Sequence, residues 1–458
     1  MQYSFDKYSY HYKTLLQLGT PLIVGQVGTI VLGFADTLMV GRHSVEELAA
    51  ASFVNTIMAI VLVFALGFSY GLTPMVGQLY GKGDTESIGG VVKNGLLAAT
   101  TTALLILAAL FAVYINIDGM GQPVELLPLM RPYMIVNMVS MPFVCWFNTF
   151  KQFFEAVGDT KAPMYVILAG NVANILGNYV LIYGTPFTPE MGLLGAGLST
   201  MASRMLMCAG MGAMFFMERR SRPFSQAMLR ARVSRRMFAV INRQSWPVAL
   251  QMGIESSAFA LTGVMAGWLG ATVLATHQIL VTVSQIFFMV YYGITSAVSV
   301  RVSFYVGQGD FGRLRQVTAA GFHIVLLIAC CISVPVFLLR NNIGYLFTDS
   351  DEVARLCAGI IYIMVLYQFG DGMQMTYAGA LRGTANVKPM MYIALVSYFV
   401  VSLPLSFLLG IHMGYGMTGI WTAFPVSLTI AALLYYYFFN KRVAQLEAGA
   451  KPRAAKQA

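Results

Sequence analysis

Apolar residues run along this chain in stretches of about twenty, parted by short polar segments, and the pattern persists from end to end. Each stretch is long enough to cross about 30 Å of hydrocarbon as a helix, and the strict alternation of a membrane β-barrel is absent. At that depth no water satisfies the backbone, so helices do the spanning. The pattern predicts twelve spans, at about 15–40, 52–78, 91–117, 127–150, 163–184, 193–217, 240–268, 272–300, 317–340, 356–381, 389–411 and 417–440. The opening segment MQYSFDKYSYHYKT lacks the basic start, short apolar core and small-residue cleavage site of a secretory signal, so the first span is expected to be retained.

Composition points the same way. Of 458 residues, 57% are hydrophobic and 10% charged, with a mean hydropathy of +0.68. The expected class is an all-α polytopic membrane protein. A net charge of +10 raises nucleic acid as a partner, but its distribution removes that reading. With both termini cytoplasmic, 24 of the 29 Lys and Arg fall on the inner side, as the positive-inside rule requires. A cell membrane, with both termini on the cytoplasmic side, is the expected location. The densest basic segment, 218–239, is expected to be a cytoplasmic linker that lies on anionic headgroups or simply sets topology, and a basic tail occupies 441–458. The five cysteines fall inside predicted spans without CxxC or metal spacing and read as small hydrophobes.

The chain also matches itself at one fixed offset, the one that carries Pro21 onto Pro247. In that register Met39 meets Met265, Gly41 meets Gly267, and GFSYGLTPMVGQLYGKGD (Gly67 to Asp84) overlies GITSAVSVRVSFYVGQGD (Gly293 to Asp310) without a gap. Further on, Pro163 meets Pro389 and Gly184 meets Gly410. A shared helical period can align leucines by accident, but it does not hold Gly and Pro at one offset over such a length. Two six-helix lobes are therefore expected, 1–217 and 240–440. Because six is even, both begin inside and form a parallel repeat about an axis along the membrane normal, which places substrate between the lobes near the midplane.

Against this repeat the acidic residues sort by address. Sixteen of the 19 lie in termini, loops or span ends; Asp36, Glu255 and Asp371 sit well inside spans. Each costs about 2.5–3.5 kcal/mol at the bilayer centre on insertion scales, so an idle carboxylate is not expected there. Their repeat counterparts are Thr262, Thr29 and Cys145, so the folding unit builds without them. Asn171, Asn174 and Asn178 recur on one helix face, as interhelical glue or as a polar site. Tyr367 lies one turn before Asp371, which is flanked by Gly370 and Gly372.

FADTLMVG, the GKGD and GQGD turns, FEAVGDTKAPM and GALRGTANVKPM, on a six-plus-six plan, make the sequence similar to the multidrug and toxic compound extrusion (MATE) family over nearly its whole length. Acids at Glu255 and Asp371 resemble its NorM-type branch. The resemblance implies an N-lobe polar site at Asp36, Asn174 and Asn178, and a C-lobe site for the coupling cation at Glu255, Asp371 and Tyr367, with Glu255 and Asp371 as ligands if that cation is Na⁺.

Other features are set aside. GFSYG has the spacing of a hydrolase nucleophile elbow but lies in a span, where it also reads as GxxxG packing. The five histidines are scattered and no metal or phosphate motif appears, so neither an enzyme nor a cofactor is expected. Arg204 is an intramembrane cation expected to snorkel or to bond a backbone carbonyl, ahead of binding substrate. The 29 Met and 54 Phe plus Tyr suit a forgiving pocket, although most are lipid-facing or core. The expected function is a monomeric secondary antiporter that exports amphipathic, often cationic compounds in exchange for Na⁺ or H⁺, with membrane lipids as its other partners and no nucleic acid. A lipid-linked precursor flippase is the alternative; it calls for a more cationic interior than one arginine supplies.

Overall fold

The computed structural model describes residues 5–454, and among these every regular element is a helix. In chain order they are α1 (Phe5–His43), α2 (Val45–Ser69), which runs on into α3 (Leu72–Lys82), α4 (Thr85–Ile115), α5 (Leu127–Ala156), α6 (Lys161–Tyr183), α7 (Gly192–Met217) and the short α8 (Arg222–Arg230). Then follow α9 (Arg235–Trp268), α10 (Ala271–Gln308), α11 (Phe311–Leu338), the single turn α12 (Arg340–Ile343) and α13 (Asp351–Gly383). The next span joins α14 (Lys388–Ala394) and α15 (Leu403–Phe407) through π-helical stretches at Leu395–Ser402 and Leu408–His412, and α16 (Gly416–Ala454) closes the chain.

Eleven of the twelve expected spans are long and apolar enough to cross a membrane. The twelfth, α5, has the length, at 30 residues, but carries Asn137, Asn148, Lys151, Gln152 and Glu155. Their pairing explains how the helix tolerates them: Lys151 Nζ lies 3.7 Å from Glu155 Oε1, with both side chains buried, and Gln152 Oε1 accepts from Thr73 Oγ1 at 2.5 Å. Glu155 is thus a buried acid, 3% exposed, inside a helix that continues to Ala156, past the expected end at 150.

The GKGD and GQGD turns are one local structure built twice. Gly83 (φ 73°, ψ 16°) and Gly309 (φ 74°, ψ 16°) end their helices in the left-handed region, where a Cβ is costly. The following N–H groups reach back, Asp84 to Leu79 O and Asp310 to Tyr305 O, closing the turn. Each Asp then caps the next helix, Asp84 accepting from Ser87 N at 3.0 Å and Asp310 from Arg313 N at 2.9 Å. The contacts from Ser87 hold the Asp84 carboxyl below its ordinary range.

The chain forms two compact units, one of residues 24–249 and one of residues up to 23 together with 250 onward. We call them the N-unit and the C-unit. Their limits, Ile23 and Ala249, correspond to each other in the repeat register, each falling just past the helix-interior Pro21 or Pro247. These limits differ from the expected lobe boundaries at 217 and 240. The basic segment belongs to the N-unit, where Lys93 Nζ donates to Ala231 O at 2.7 Å and Asn94 Oδ1 accepts from Ser234 N at 2.9 Å. One N-unit core packs Val54, Met58, Ala103, Met134 and Ile182, and another packs Phe150, Phe153 and Phe215.

The inner location of the 218–239 segment is checked by cysteine labelling. Ser221 is buried, at 4% exposure, whereas Arg220 is exposed. Arg220→Cys is expected to resist a membrane-impermeant maleimide in intact cells and to react after permeabilisation; labelling in intact cells would overturn the cytoplasmic assignment.

Candidate functional site

In the N-unit, Asp36 near the end of α1 meets the asparagine stripe of α6. Asn178 Nδ2 donates to Asp36 Oδ1 at 2.5 Å and lies 3.1 Å from Asn174. Turned so that its oxygen accepts from Thr200 Oγ1 at 3.1 Å, the Asn174 amide places its nitrogen 2.8 Å from the same Asp36 oxygen. Asn174 and Asn178 are fully buried, so their amides are pre-set donors rather than solvated ones. Asn171, the third residue of the stripe, stands apart from this contact: its amide faces Gly28 of α1.

Among the described residues Arg204 bonds side-chain oxygens, not the backbone carbonyl that was expected. Its Nη1 donates to Ser140 Oγ at 2.6 Å and, more weakly, to Asn137 Oδ1 at 3.4 Å, both on α5. The guanidinium is also within electrostatic reach of Asp36.

In the C-unit, Glu255 of α9 is held by neutral donors. Tyr398 Oη, from the π-helical stretch, donates to Glu255 Oε1 at 2.9 Å, and Gln251 Nε2 donates to Oε2 at 3.2 Å. Tyr398 Oη is also 3.2 Å from Gln374 Oε1 of α13. Asp371 and Tyr367 lie one turn apart on α13, 5% and 6% exposed, and Asp371 is within electrostatic reach of Glu255. Gly372 beside it admits a close helix: a Cβ there would stand 2.7 Å from Val325 of α11. Rings close around the acids. Tyr367 packs edge-on against Trp421 (6.2 Å) and Phe424 (5.9 Å), and Phe259 stacks on Phe424 (5.0 Å) and reaches Tyr398 (6.2 Å).

Sequence reasoning therefore named the acids, the two asparagines and Tyr367, and missed Tyr398, Gln251 and Gln374. Tyr398 was hidden in a largely apolar run that carries no charge. The one legible signal was Pro404, which has no N–H to give an i−4 carbonyl and so favours a widened helix just before it. Removing this hydroxyl has a measurable consequence if Tyr398 helps to ligate the cation. Tyr398→Phe is expected to raise the half-saturating coupling-cation concentration for transport about tenfold, the scale of one hydrogen bond to a charged group, with insertion unchanged. An unchanged cation dependence would confine the site to Glu255, Asp371 and Tyr367.

These features define a polytopic helical membrane protein of two internal repeats, with an acid-centred cluster of polar side chains in each compact unit. The MatE family model matches residues 21–180 and again 247–408, well over half of the chain, and the two matches begin at the paired prolines Pro21 and Pro247. The chain belongs to the MatE family, as its motifs suggested. It is 29% identical over 424 residues to the multidrug resistance protein NorM of Aliivibrio fischeri, covering 92% of each chain. Against NorM of Photobacterium profundum it is 28% identical over 436 residues, covering 92% of this chain and 93% of the relative. Among solved structures, a MATE protein in the bent conformation superposes with a TM-score of 0.88 at 17% identity, covering 96% of this chain and 97% of that one. The eukaryotic MATE transporter AtDTX14 gives 0.84 at 17%, covering 97% and 99%.

Proposed function

We propose that this protein is a secondary antiporter of a bacterial inner membrane that exports amphipathic, often cationic organic compounds while Na⁺ or H⁺ enters. The observation that carries the reading is the C-unit pair: two carboxylates at span depth, with Glu255 bonded by a hydroxyl and an amide instead of a basic side chain. A carboxylate so placed can exchange a proton, or hold a hard cation with the surrounding oxygens of Tyr398, Gln374 and Tyr367. Either occupant stabilises one arrangement of the repeats over the other, and such differential affinity is the requirement for coupling. Asp36 with Asn174 and Asn178 is the corresponding polar site of the N-unit. The NorM relatives, named as multidrug resistance proteins, support export of drug-like compounds. The distribution of basic residues supports cytoplasmic termini.

The test is transport by the purified protein in proteoliposomes, first under an imposed Na⁺ gradient and then under an imposed pH gradient. Substrate movement that follows one gradient and collapses with its ionophore is expected. Movement indifferent to both gradients would overturn antiport.

A further inference from the structure

We propose that the segment 218–239 is a docking surface for anionic phospholipid, with α8 lying at the level of the headgroups and arginine forks taking their phosphates. The inference goes beyond the export reading above and needs only that this segment faces the cytoplasm. It starts from a choice of residue that topology does not explain. The positive-inside rule is met by lysine and arginine alike, yet the segment holds seven arginines and no lysine, with Glu218 as its one acid. A lysine is a compact point charge, whereas a guanidinium presents a planar fork that engages a phosphate through two parallel hydrogen bonds. These arginines are all exposed, and no hydrogen bond or ion pair engages their guanidinium groups among the described residues. The forks are therefore open to a ligand.

The segment is also docked firmly, which a tether that only set topology would not require. α8 packs on the start of α4 where Gly89 has no side chain: a Cβ there would stand 2.4 Å from Met228 N. Phe224 turns inward to Phe153 (5.4 Å) and Tyr80 (6.3 Å), while Lys93 and Asn94 of α4 hold the backbone at Ala231 and Ser234. Gly89 comes just before the expected membrane entry of α4 at 91, so α8 is held where the bilayer begins. Only the short links 218–221 and 231–234 join it to α7 and α9, each able to reach about 15 Å at most. With Ser225 and Met228 buried against the unit, Arg222, Gln226, Leu229 and Arg230 share the outer face. Exposed apolar side chains stand among the arginines: Met217 (79%), Leu229 (65%) and Val233 (58%). Basic groups interleaved with bare apolar ones are the composition of an interfacial helix, whose charges meet headgroups while the apolar side chains enter the acyl boundary. A soluble polyanion matches the charges alone and leaves Leu229 and Val233 in water.

The test counts lipid bound to the purified full chain. In a neutral detergent the protein is titrated with phosphatidylglycerol or with phosphatidylcholine, and bound lipid is read by native mass spectrometry. The unmodified chain is expected to bind phosphatidylglycerol at least about tenfold more tightly than the zwitterionic lipid. Arg230→Gln with Arg232→Gln is expected to weaken phosphatidylglycerol about twenty-fivefold, from about fivefold for each basic residue near an anionic surface. The matched control, Lys82→Gln with Lys161→Gln, removes the same charge from exposed positions elsewhere in the N-unit and should weaken it by less than about threefold. Arg230→Lys with Arg232→Lys keeps the charge and loses the fork, so it should retain only part of the affinity. Equal weakening in the two Gln doubles, or in neither, would overturn the proposal. If a variant does not fold, the unmodified chain decides alone: equal affinity for the two lipids refutes the inference. Displacement of the lipid by inorganic phosphate or by an RNA oligonucleotide at constant ionic strength would assign the surface to a soluble anion and refute it as well. None of these readouts involves transport, so each outcome leaves the export reading to its own test.

Discussion

Glu255→Gln with Asp371→Asn in one chain is expected to abolish cation-driven efflux while the protein inserts and purifies as the parent does. Both substitutions keep size and most hydrogen bonds: a Gln side-chain oxygen at 255 can still accept from Tyr398 Oη, now at 2.9 Å, and its own amide has Gln251 within reach. What disappears is the ability to exchange a proton or to neutralise a bound cation beside the packed rings of Tyr367, Trp421 and Phe424. Losing a buried charge partner costs about 2–5 kcal/mol, so transport at a fixed gradient should fall by about two orders of magnitude or more. The measurement is gradient-driven uptake in proteoliposomes with equal protein incorporated. Uptake at the parent's rate would show that the C-unit acids do not couple.

Asp36→Asn is expected to leave expression normal and to remove both efflux and drug resistance. The geometry makes this a clean separation of two roles. Asp36 engages Asn178 through Oδ1 alone, and an Asn side-chain oxygen can accept the same N–H. If the carboxyl were scaffold, permanently protonated and bonded to the asparagine stripe, the variant would pump like the parent. If it changes proton or cation occupancy during the cycle, the variant binds nothing in exchange and transport falls to the level of empty vesicles, a loss of at least about a hundredfold. Near-parental efflux by Asp36→Asn would reduce the N-unit site to a structural pocket and leave coupling to Glu255 and Asp371.

Much of this was legible in the chain because a bilayer imposes rules that act locally. An unpaired backbone group is prohibitively costly in hydrocarbon, so span length and hydropathy alone fixed the long helices, and α5 was still recognised although its charges lower its hydropathy. Glycine in the left-handed region and a capping aspartate are likewise local demands, which is why GKGD and GQGD betrayed the repeat and fold alike, with φ of 73° at Gly83 and 74° at Gly309. The insertion cost of a charge singled out Asp36, Glu255 and Asp371 without any knowledge of their neighbours.

The neighbours themselves were decided only by tertiary structure. Tyr398 reaches Glu255 across 143 residues of sequence and Arg204 reaches Ser140 across 64, contacts that depend on how each helix is rotated and packed. Hydropathy is nearly blind to that rotation, because lipid-facing and protein-facing apolar residues look alike. For the same reason Glu155, which falls beyond the span expected to end at 150, lies buried beside Lys151 inside α5. The limits of the compact units fell inside α1 and α9 instead of at the basic linker, since compactness follows packing rather than the order of loops along the chain. Sequence determined which residues had to be helical and which charges needed a reason to be there; packing alone determined the partner that each of those charges found.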